Sequence, residues 1–145
     1  MKTWIKILLV TGITGLVALY AVYRFVYNKP HPDYLNEKEC CTMDAGRLYH
    51  EFKEATAAAS KKYNGQVIRI TGALSKTEVA DSLVVAVFVF SNDDFGDEGI
   101  RCTMLPGFND KAKDTPAGTA ISLKGYCTGF NGTDIIFEKC SFTTL

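Results

Sequence analysis

An uncharged run of 17 residues, Ile7 to Tyr23, is the feature that most constrains this chain. At about 1.5 Å of rise per residue, a helix over this run is about 26 Å long, close to the ~30 Å hydrocarbon core of a bilayer. Lys2 and Lys6 precede the run and Arg24 follows it, so cationic side chains can reach the headgroups at both ends. We therefore predict that residues 1–27 are a transmembrane signal-anchor. Its bilayer-facing side chains include Ile7, Leu8, Leu9, Val10, Leu16, Val17, Leu19 and Val22.

A cleaved signal peptide is the alternative interpretation of this segment. Signal peptidase sites have small residues two positions apart, whereas Ala18 and Ala21 are three apart and have bulky neighbours. The pattern thus favours an uncleaved anchor. Because short basic N-termini usually stay inside the cell, we expect a cytoplasmic N-terminus and a periplasmic or otherwise extracytoplasmic C-terminal domain.

The composition changes after the anchor. Residues 28–41 contain Pro30, His31 and Pro32 among charged residues, which predicts a linker, and residues 42–145 are long enough for one domain. Removing Lys2, Lys6 and Arg24 from the 16 basic residues leaves 13, against 16 acidic residues that all lie beyond the anchor, so the net charge of this part is near −3. A domain that binds phosphate backbones strongly would be basic, so nucleic acid is an unfavoured partner.

A helix and five strands are predicted in the domain. Asp44 is a suitable N-cap for a helix that ends near Tyr63, with an apolar stripe of Leu48, Phe52, Ala55 and Ala59. Period-two, β-branched segments follow and predict strands at 66–72, 83–90, 100–105, 119–127 and 134–142. Asn131-Gly132 predicts a tight hairpin turn between the last two.

This order of elements predicts an α+β, mainly β domain: one helix followed by a five-stranded Greek-key barrel of the OB type. The irregular segment 106–118 is expected to be the crossover between the third and fourth strands. A small SH3-like barrel and an open α+β sheet are the alternatives that the pattern leaves open.

Four segments carry a resemblance to a known family: 28–33, 58–63, 65–72 and 124–130. Their sequences are NKPHPD, AASKKY, GQVIRITG and KGYCTGF, and in this order they resemble the tRNA_anti-like family of OB-fold proteins, especially its short membrane-anchored members from Bacteroidetes. The resemblance implies an anchored extracytoplasmic OB domain. It implies no catalytic residues, and nucleic-acid binding follows from it only by analogy of fold.

Aromatic residues decide whether an OB surface can stack on bases or sugars. Phe88 and Phe90 lie at alternate positions of an apolar run, so we expect them in the core. Tyr126 lies on the strand face opposite Ile121, Leu123 and Cys127, and with Phe130 it is the candidate binding surface.

Three of the five cysteines are predicted to point into the core: Cys102, Cys127 and Cys140. In an oxidising compartment two of them could form a disulfide, with buried free thiols as the alternative. A two-residue hairpin turn would separate Cys127 from Cys140 beyond bridging distance. Cys102 with Cys140 is the preferred pair, because the third and fifth strands adjoin in an OB barrel, and Cys127 is the substitute partner. The adjacent Cys40 and Cys41 are expected to be exposed and oxidisable, without the spacing of a Cys-x-x-Cys motif.

Catalytic and metal-binding patterns are weak in this sequence. His31 lies in the predicted linker and His50 on the polar side of the helix, and we expect no catalytic residues, cofactor or metal. Asp93, Asp94, Asp97 and Glu98 are a possible calcium ligand set, but their spacing differs from an EF-hand loop, so a solvated loop is the default.

The sequence therefore predicts a non-enzymatic, membrane-anchored OB-fold module of the cell envelope. Its partners are the bilayer and an envelope protein. The alternative is an oligonucleotide or oligosaccharide binder that uses the outer face of its second and third strands, and a passive spacer is a third interpretation.

Overall fold

The structure is a computed structural model, and it describes residues 3–27 and 33–145. The chain divides into two compact units, Met1–Pro32 and Asp33–Leu145. The predicted linker residues 28–32, with His31, lie outside the described residues.

The N-terminal unit is helical. Helix α1, Thr3–Val22, continues into a π-helical turn at Tyr23–Tyr27. By length and composition the run Thr3–Val26 could cross a membrane, a criterion that a signal sequence also meets. Every predicted bilayer-facing side chain is exposed. The hydroxyls of Thr11 and Thr14 donate to helix carbonyls one turn back, so neither leaves an unpaired donor in an apolar environment.

Two short helices replace the single predicted one. Helix α2, Ala45–Glu54, begins as predicted at Asp44, whose carboxylate accepts a hydrogen bond from Arg47 N at 3.1 Å. The helix ends at Ala55 (φ −141°, ψ 60°), and helix α3, Thr56–Tyr63, follows. Ala55 is exposed, so the predicted stripe fails at that position, while Leu48, Phe52 and Ala59 are buried as predicted.

Seven strands form one mixed sheet, in the order β1-β2-β6-β7-β5-β4-β3. The β1–β2 and β5–β7 pairs are parallel and the other neighbours are antiparallel. The strands are β1 Cys41–Asp44, β2 Val67–Ala73, β3 Lys76–Ala80, β4 Leu83–Asp93, β5 Gly96–Met104, β6 Ala120–Phe130 and β7 Ile135–Thr143.

The prediction of five strands is wrong. All five predicted segments are strands, but β1 and β3 are additional, and both are short edge strands whose sequences lack clear alternation of apolar and polar residues. The hydrogen-bonded order has two free ends, so the sheet is not a closed five-stranded barrel. At the coarser level of an α+β, OB-like fold that follows an apolar helix, the prediction is confirmed.

A two-residue bend gives the sheet its curvature. Leu74 and Ser75 connect β2, near one end of the strand order, to β3 at the other end. Leu74 N donates to Thr119 O at 2.9 Å beside β6, and Ser75 N donates to Val87 O on β4 at 2.9 Å. The two sides of the sheet must therefore approach each other at this bend. The enclosed core includes Phe52, Phe88, Ile100, Leu123 and Phe137.

Two connections differ in detail from prediction. The crossover contains a 3₁₀ turn, Pro106–Phe108, and helix α4, Asn109–Asp114, which buries Ala112 against the core. The β6–β7 hairpin pairs Phe130 with Ile135, so its loop spans four residues instead of the predicted two. The Asn131 side chain accepts hydrogen bonds from Thr133 N and Asp134 N, which stabilises the longer loop.

Candidate functional site

Alternation along β3, β4 and β5 produces a charged outer surface. Lys76, Val87 and Arg101 lie in one row of this surface, because Val87 pairs with both cations, while Ala86, Phe88 and Cys102 point to the core. Val87 is only 1% exposed although it faces outward, because long cationic side chains flank it on both sides.

Four ion pairs connect this surface, which we call the ion-pair face: Lys76, Glu78, Asp97, Arg101 and Asp134. Arg101 contacts Asp134 at 2.8 Å and Glu78 at 2.6 Å. Lys76 contacts Glu78 at 2.9 Å and Asp97 at 2.7 Å. Each of the two cations thus contacts two carboxylates, and the network contains three carboxylates against two cations.

The electrostatics reinforce this pairing. Hydrogen bonds from Lys76 lower the pKa of Glu78 and of Asp97, and the hydrogen bond to Asp134 raises the pKa of Arg101. A phosphate group would have to displace carboxylates from these cations. Because the next row of this face consists of Glu78, Val85 and Thr103 and carries no aromatic ring, this face lacks the features expected of a single-strand nucleic-acid surface.

The predicted core aromatics behave differently from each other. Phe88 is buried as predicted, but Phe90 is 39% exposed and stacks on Tyr49 with ring centroids 5.3 Å apart. The most exposed aromatic of the domain that the structure describes is Phe95, 99% exposed at the tip of the β4–β5 hairpin. A lone phenylalanine between Asp93-Asp94 and Gly96 was the sequence signal that could have indicated it.

The candidate binding residues Tyr126 and Phe130 have different surroundings. Tyr126 packs against Tyr34, with ring centroids 5.2 Å apart, and Phe130 packs against Phe52 at 5.9 Å and adjoins the core. Both are therefore half-buried within the domain. Their role in binding stays a prediction.

Tyr34 belongs to a segment, Asp33–Cys40, that we call the strap because it lies on the outer side of β2, β6 and β7. Lys124 Nζ donates to Leu35 O at 2.6 Å and to Glu37 O at 3.0 Å. Arg69 pairs with Glu39 at 2.7 Å. The described part of the predicted linker is therefore attached to the domain by side-chain contacts. These contacts could not be predicted from the sequence, because the segment has no periodic pattern.

The three core cysteines are fully buried. Cys102 lies on β5 and Cys140 on the neighbouring strand β7. Burial raises the pKa of Cys140 well above its usual value and that of Cys127 to about 12. All three are free thiols in this structure, so their pairing stays a prediction. Cys127 faces Phe137, one residue from the predicted partner Ile136, because the longer loop shifts the register by two residues and the bulge between Cys127 and Gly129 shifts it back by one.

Three carboxylates of the possible calcium set, those of Asp93, Asp97 and Glu98, have partners within the protein. Glu98 accepts hydrogen bonds from Tyr49 Oη and Lys53 Nζ, each at 2.7 Å, which connects α2 to β5, and these bonds lower the pKa of Glu98, with Lys53 as the larger cause. Asp93 accepts from Phe95 N at 2.9 Å. Within the described residues no three His, Cys, Asp or Glu side chains are grouped to hold a metal. His50 is exposed on α2 as predicted, beside the Tyr49 ring.

One known structure shares this fold. A candidate nucleic acid-binding lipoprotein from Klebsiella pneumoniae subsp. pneumoniae MGH 78578 has a TM-score of 0.56 and 12% identity, over 80% of this chain and 100% of that one. A candidate aspartyl-tRNA synthetase from Leishmania major Friedlin has a TM-score of 0.48 and 12% identity, over 88% of this chain and 25% of that one. At such identities only the first similarity is informative, and it concerns the fold alone.

Comparison of sequences gives a family but no characterised relative. No curated protein matches the chain. The family model described as tRNA_anti-like matches residues 1–142, nearly the whole sequence. The resemblance inferred from the four sequence segments is thereby confirmed, and the chain belongs to the tRNA_anti-like family.

Proposed function

We propose that this protein is a non-enzymatic, membrane-anchored binding module of the cell envelope, whose OB-like domain contacts another protein through the ion-pair face. The apolar helix is the anchor, the N-terminus is cytoplasmic, and the domain is extracytoplasmic. The proposal rests mainly on one observation, the sharing of Lys76 and Arg101 among Glu78, Asp97 and Asp134.

A charge network of this kind suits a protein partner better than a polyanion. Alternating charges at fixed positions can be matched by complementary charges on a second protein, which provides specificity and a faster encounter. Polyanion binding instead gains most of its affinity from free cations that release counterions. The partly exposed Val85 and Val89 add apolar area among the charges.

The Klebsiella relative is named as a candidate nucleic acid-binding protein, so binding of an oligonucleotide is the result that would contradict our proposal. Phe95 is the exposed ring on which a base could stack. An oligosaccharide, the other class of ligand that OB folds bind, is tested in the same experiment.

The test is site-specific photocrosslinking of the full-length protein in native membranes. A benzophenone amino acid replaces Thr103, which lies in the same row as Glu78 beside the ion-pair face, or, as a matched control, the exposed Lys61 on α3. We expect an adduct with an envelope protein at position 103 and none at 61. The purified protein is then titrated with fluorescein-labelled oligothymidylate and with a labelled peptidoglycan fragment. Saturable binding of either probe, weakened by Phe95→Ala and without a protein adduct, would replace the proposal with the ligand-binding alternative.

The anchor is tested independently. Intact mass should show that residues 1–27 are retained, and alkaline carbonate should leave the protein in the membrane fraction. A mature protein that lacks this segment would instead identify the helix as a cleaved signal.

A further inference from the structure

Cys40 and Cys41 form a close thiol pair where the strap joins β1. Their Sγ atoms are 3.1 Å apart, and Cys40 is exposed while Cys41 is half-buried. The backbone is fixed on both sides of the pair, because Cys40 N donates to Val67 O at 2.8 Å and Cys41 pairs with Ile68 in the β1–β2 ladder. The two sulfurs are therefore held together by the fold as well as by adjacency in sequence.

This geometry is close to that of a disulfide between neighbours. A bonded pair has its sulfurs about 2.05 Å apart, so closure requires a movement of about 1 Å. Adjacent α-carbons are only about 3.8 Å apart, below the usual span of about 4.4–6.8 Å for a disulfide, so the ring would be strained. Strained and exposed disulfides are readily reduced, which is the property of a reversible site and not of a structural crosslink.

The other cysteines differ from this pair. Cys102, Cys127 and Cys140 are 0% exposed, so a dissolved reagent reaches them only when the domain opens. In the folded protein, an external reagent can therefore react with Cys40 first and with Cys41 second.

We propose that Cys40 and Cys41 are a reversible dithiol–disulfide site that exchanges with an external disulfide-bearing redox partner. The Cys40 thiolate attacks one sulfur of the external disulfide, which forms a mixed disulfide and releases one thiolate. The Cys41 thiolate then attacks Cys40 Sγ, which closes the Cys40–Cys41 bond and releases the second thiolate. The two cysteines lose two electrons and two protons, and the external disulfide becomes two thiols. The proposal is independent of the binding function.

The order of attack follows from exposure. Cys40 is accessible, whereas burial, followed by the hydrogen bond with Cys40, raises the pKa of Cys41 to about 11. Cys41 is therefore the second thiol to react, and it does so inside the protein, where its target is already adjacent.

The test uses full-length protein in detergent micelles with oxidised glutathione as the probe. After acid quenching, free thiols are alkylated and the tryptic peptide Glu39–Arg47, which contains both cysteines, is analysed by mass. We expect the folded protein to yield mainly the peptide that has lost two hydrogens, which is the Cys40–Cys41 disulfide. Dithiothreitol should convert it back to the dithiol. In urea, the ratio of the Cys40–Cys41 disulfide ring to the glutathione adduct should be about tenfold lower, because the fold no longer holds the two sulfurs together.

Variants complete the test. Cys40→Ser and Cys41→Ser should each abolish the ring, and the adjacent Thr42→Ala should leave it unchanged. Phenylarsine oxide, which bridges neighbouring thiols, should bind the folded protein in a one-to-one ratio and protect both cysteines from alkylation. Equal formation of the disulfide ring in folded and unfolded protein would overturn the proposal. So would glutathione adducts or covalent dimers formed instead of the ring.

Discussion

The Asp134 carboxylate connects two parts of β5, since its Oδ2 accepts from Arg101 Nε at 2.8 Å and its Oδ1 from Gly99 N at 3.0 Å. Asp134 is only 8% exposed, so removing it leaves a buried N–H unpaired and a guanidinium with one partner fewer. We expect Asp134→Ala to lower the free energy of unfolding by about 2 kcal/mol. Asp134→Asn should cost less, because its amide oxygen can still accept from Gly99. Urea titration of the exposed control Asp94→Asn should give the wild-type midpoint.

Gly99 is the position of β5 least able to carry a side chain. A Cβ there would lie 1.8 Å from Phe88 O, a backbone atom that cannot move away without disrupting the β4–β5 ladder. Gly99→Ala should therefore cost about 3 kcal/mol or more. Gly107→Ala is the matched control, because a Cβ at position 107 meets open space. Similar thermal unfolding of the two variants would contradict this packing.

The Cys140 thiol is packed against Gly125. A Cβ at position 125 would lie 2.5 Å from Cys140 Sγ, with Phe137 and Glu138 more than 3 Å away. We expect Gly125→Ala to destabilise the domain by about 1–3 kcal/mol. The same substitution in a Cys140→Ala background should cost less, by roughly 1 kcal/mol, since the obstructing sulfur is gone. Denaturant unfolding of the four proteins in this cycle measures the difference, and strict additivity would argue against direct contact.

Acid should weaken the ion-pair face. The pKa values of Glu78 and Asp97 are lower in the folded state, so both carboxylates stabilise the protein above their ordinary values, 4.5 and 3.8, and this contribution is lost as the pH falls through the folded values. We expect the urea midpoint to be nearly constant from about pH 7 to about pH 5 and to fall below that range. Lys76→Met should flatten the acid limb, whereas the exposed Lys113→Met should leave its slope unchanged. An unchanged slope in Lys76→Met would contradict the assignment.

The strap should depend on Lys124. Lys124→Met keeps the aliphatic stem but removes the donors to Leu35 O and Glu37 O. The Cys40 amide, which donates to Val67 O, should then exchange its hydrogen about tenfold faster, as expected for the loss of about 1.4 kcal/mol of local stability. Hydrogen exchange measured by mass spectrometry checks this, with Lys113→Met as the control. Unchanged protection would mean that Arg69 and Tyr34 suffice to hold the strap.

The sequence predicted those elements whose own residues encode them. Five strands with alternating or β-branched residues and the Asp44 cap are present, because local patterning determines them. The strands β1 and β3 were missed, since the formation of a four- or five-residue edge strand depends on the neighbour with which it pairs. The break at Ala55 was also missed, because alanine is the strongest helix former and its propensity gives no signal for a helix end.

The site was less predictable than the fold. Alternation along β4 and β5 indicates which side chains face outward, but the contact of Arg101 with Asp134 requires the parallel β5–β7 pairing, and no local pattern specifies that pairing. Tyr126 was placed on the correct strand face, yet its covering by Tyr34 depends on a segment without periodicity. The hairpin is longer because Asn131 bonds within the loop: its side chain accepts from Thr133 N and Asp134 N, and its N–H donates to Asp134 O, so Phe130 pairs with Ile135 and not with Thr133.

The bend at Leu74 and Ser75 bears on the order in which the chain folds. β3 pairs with β4, which is close in sequence, and β4 pairs with β5, so this meander can form early from local contacts. β2 lies directly before the bend, but its antiparallel partner is β6, far along the chain. Pulse-labelling hydrogen exchange during refolding should therefore protect Val87 N before Ile70 N. On the ribosome, β2 would emerge early and wait, unpaired along that edge, until β6 had been synthesised.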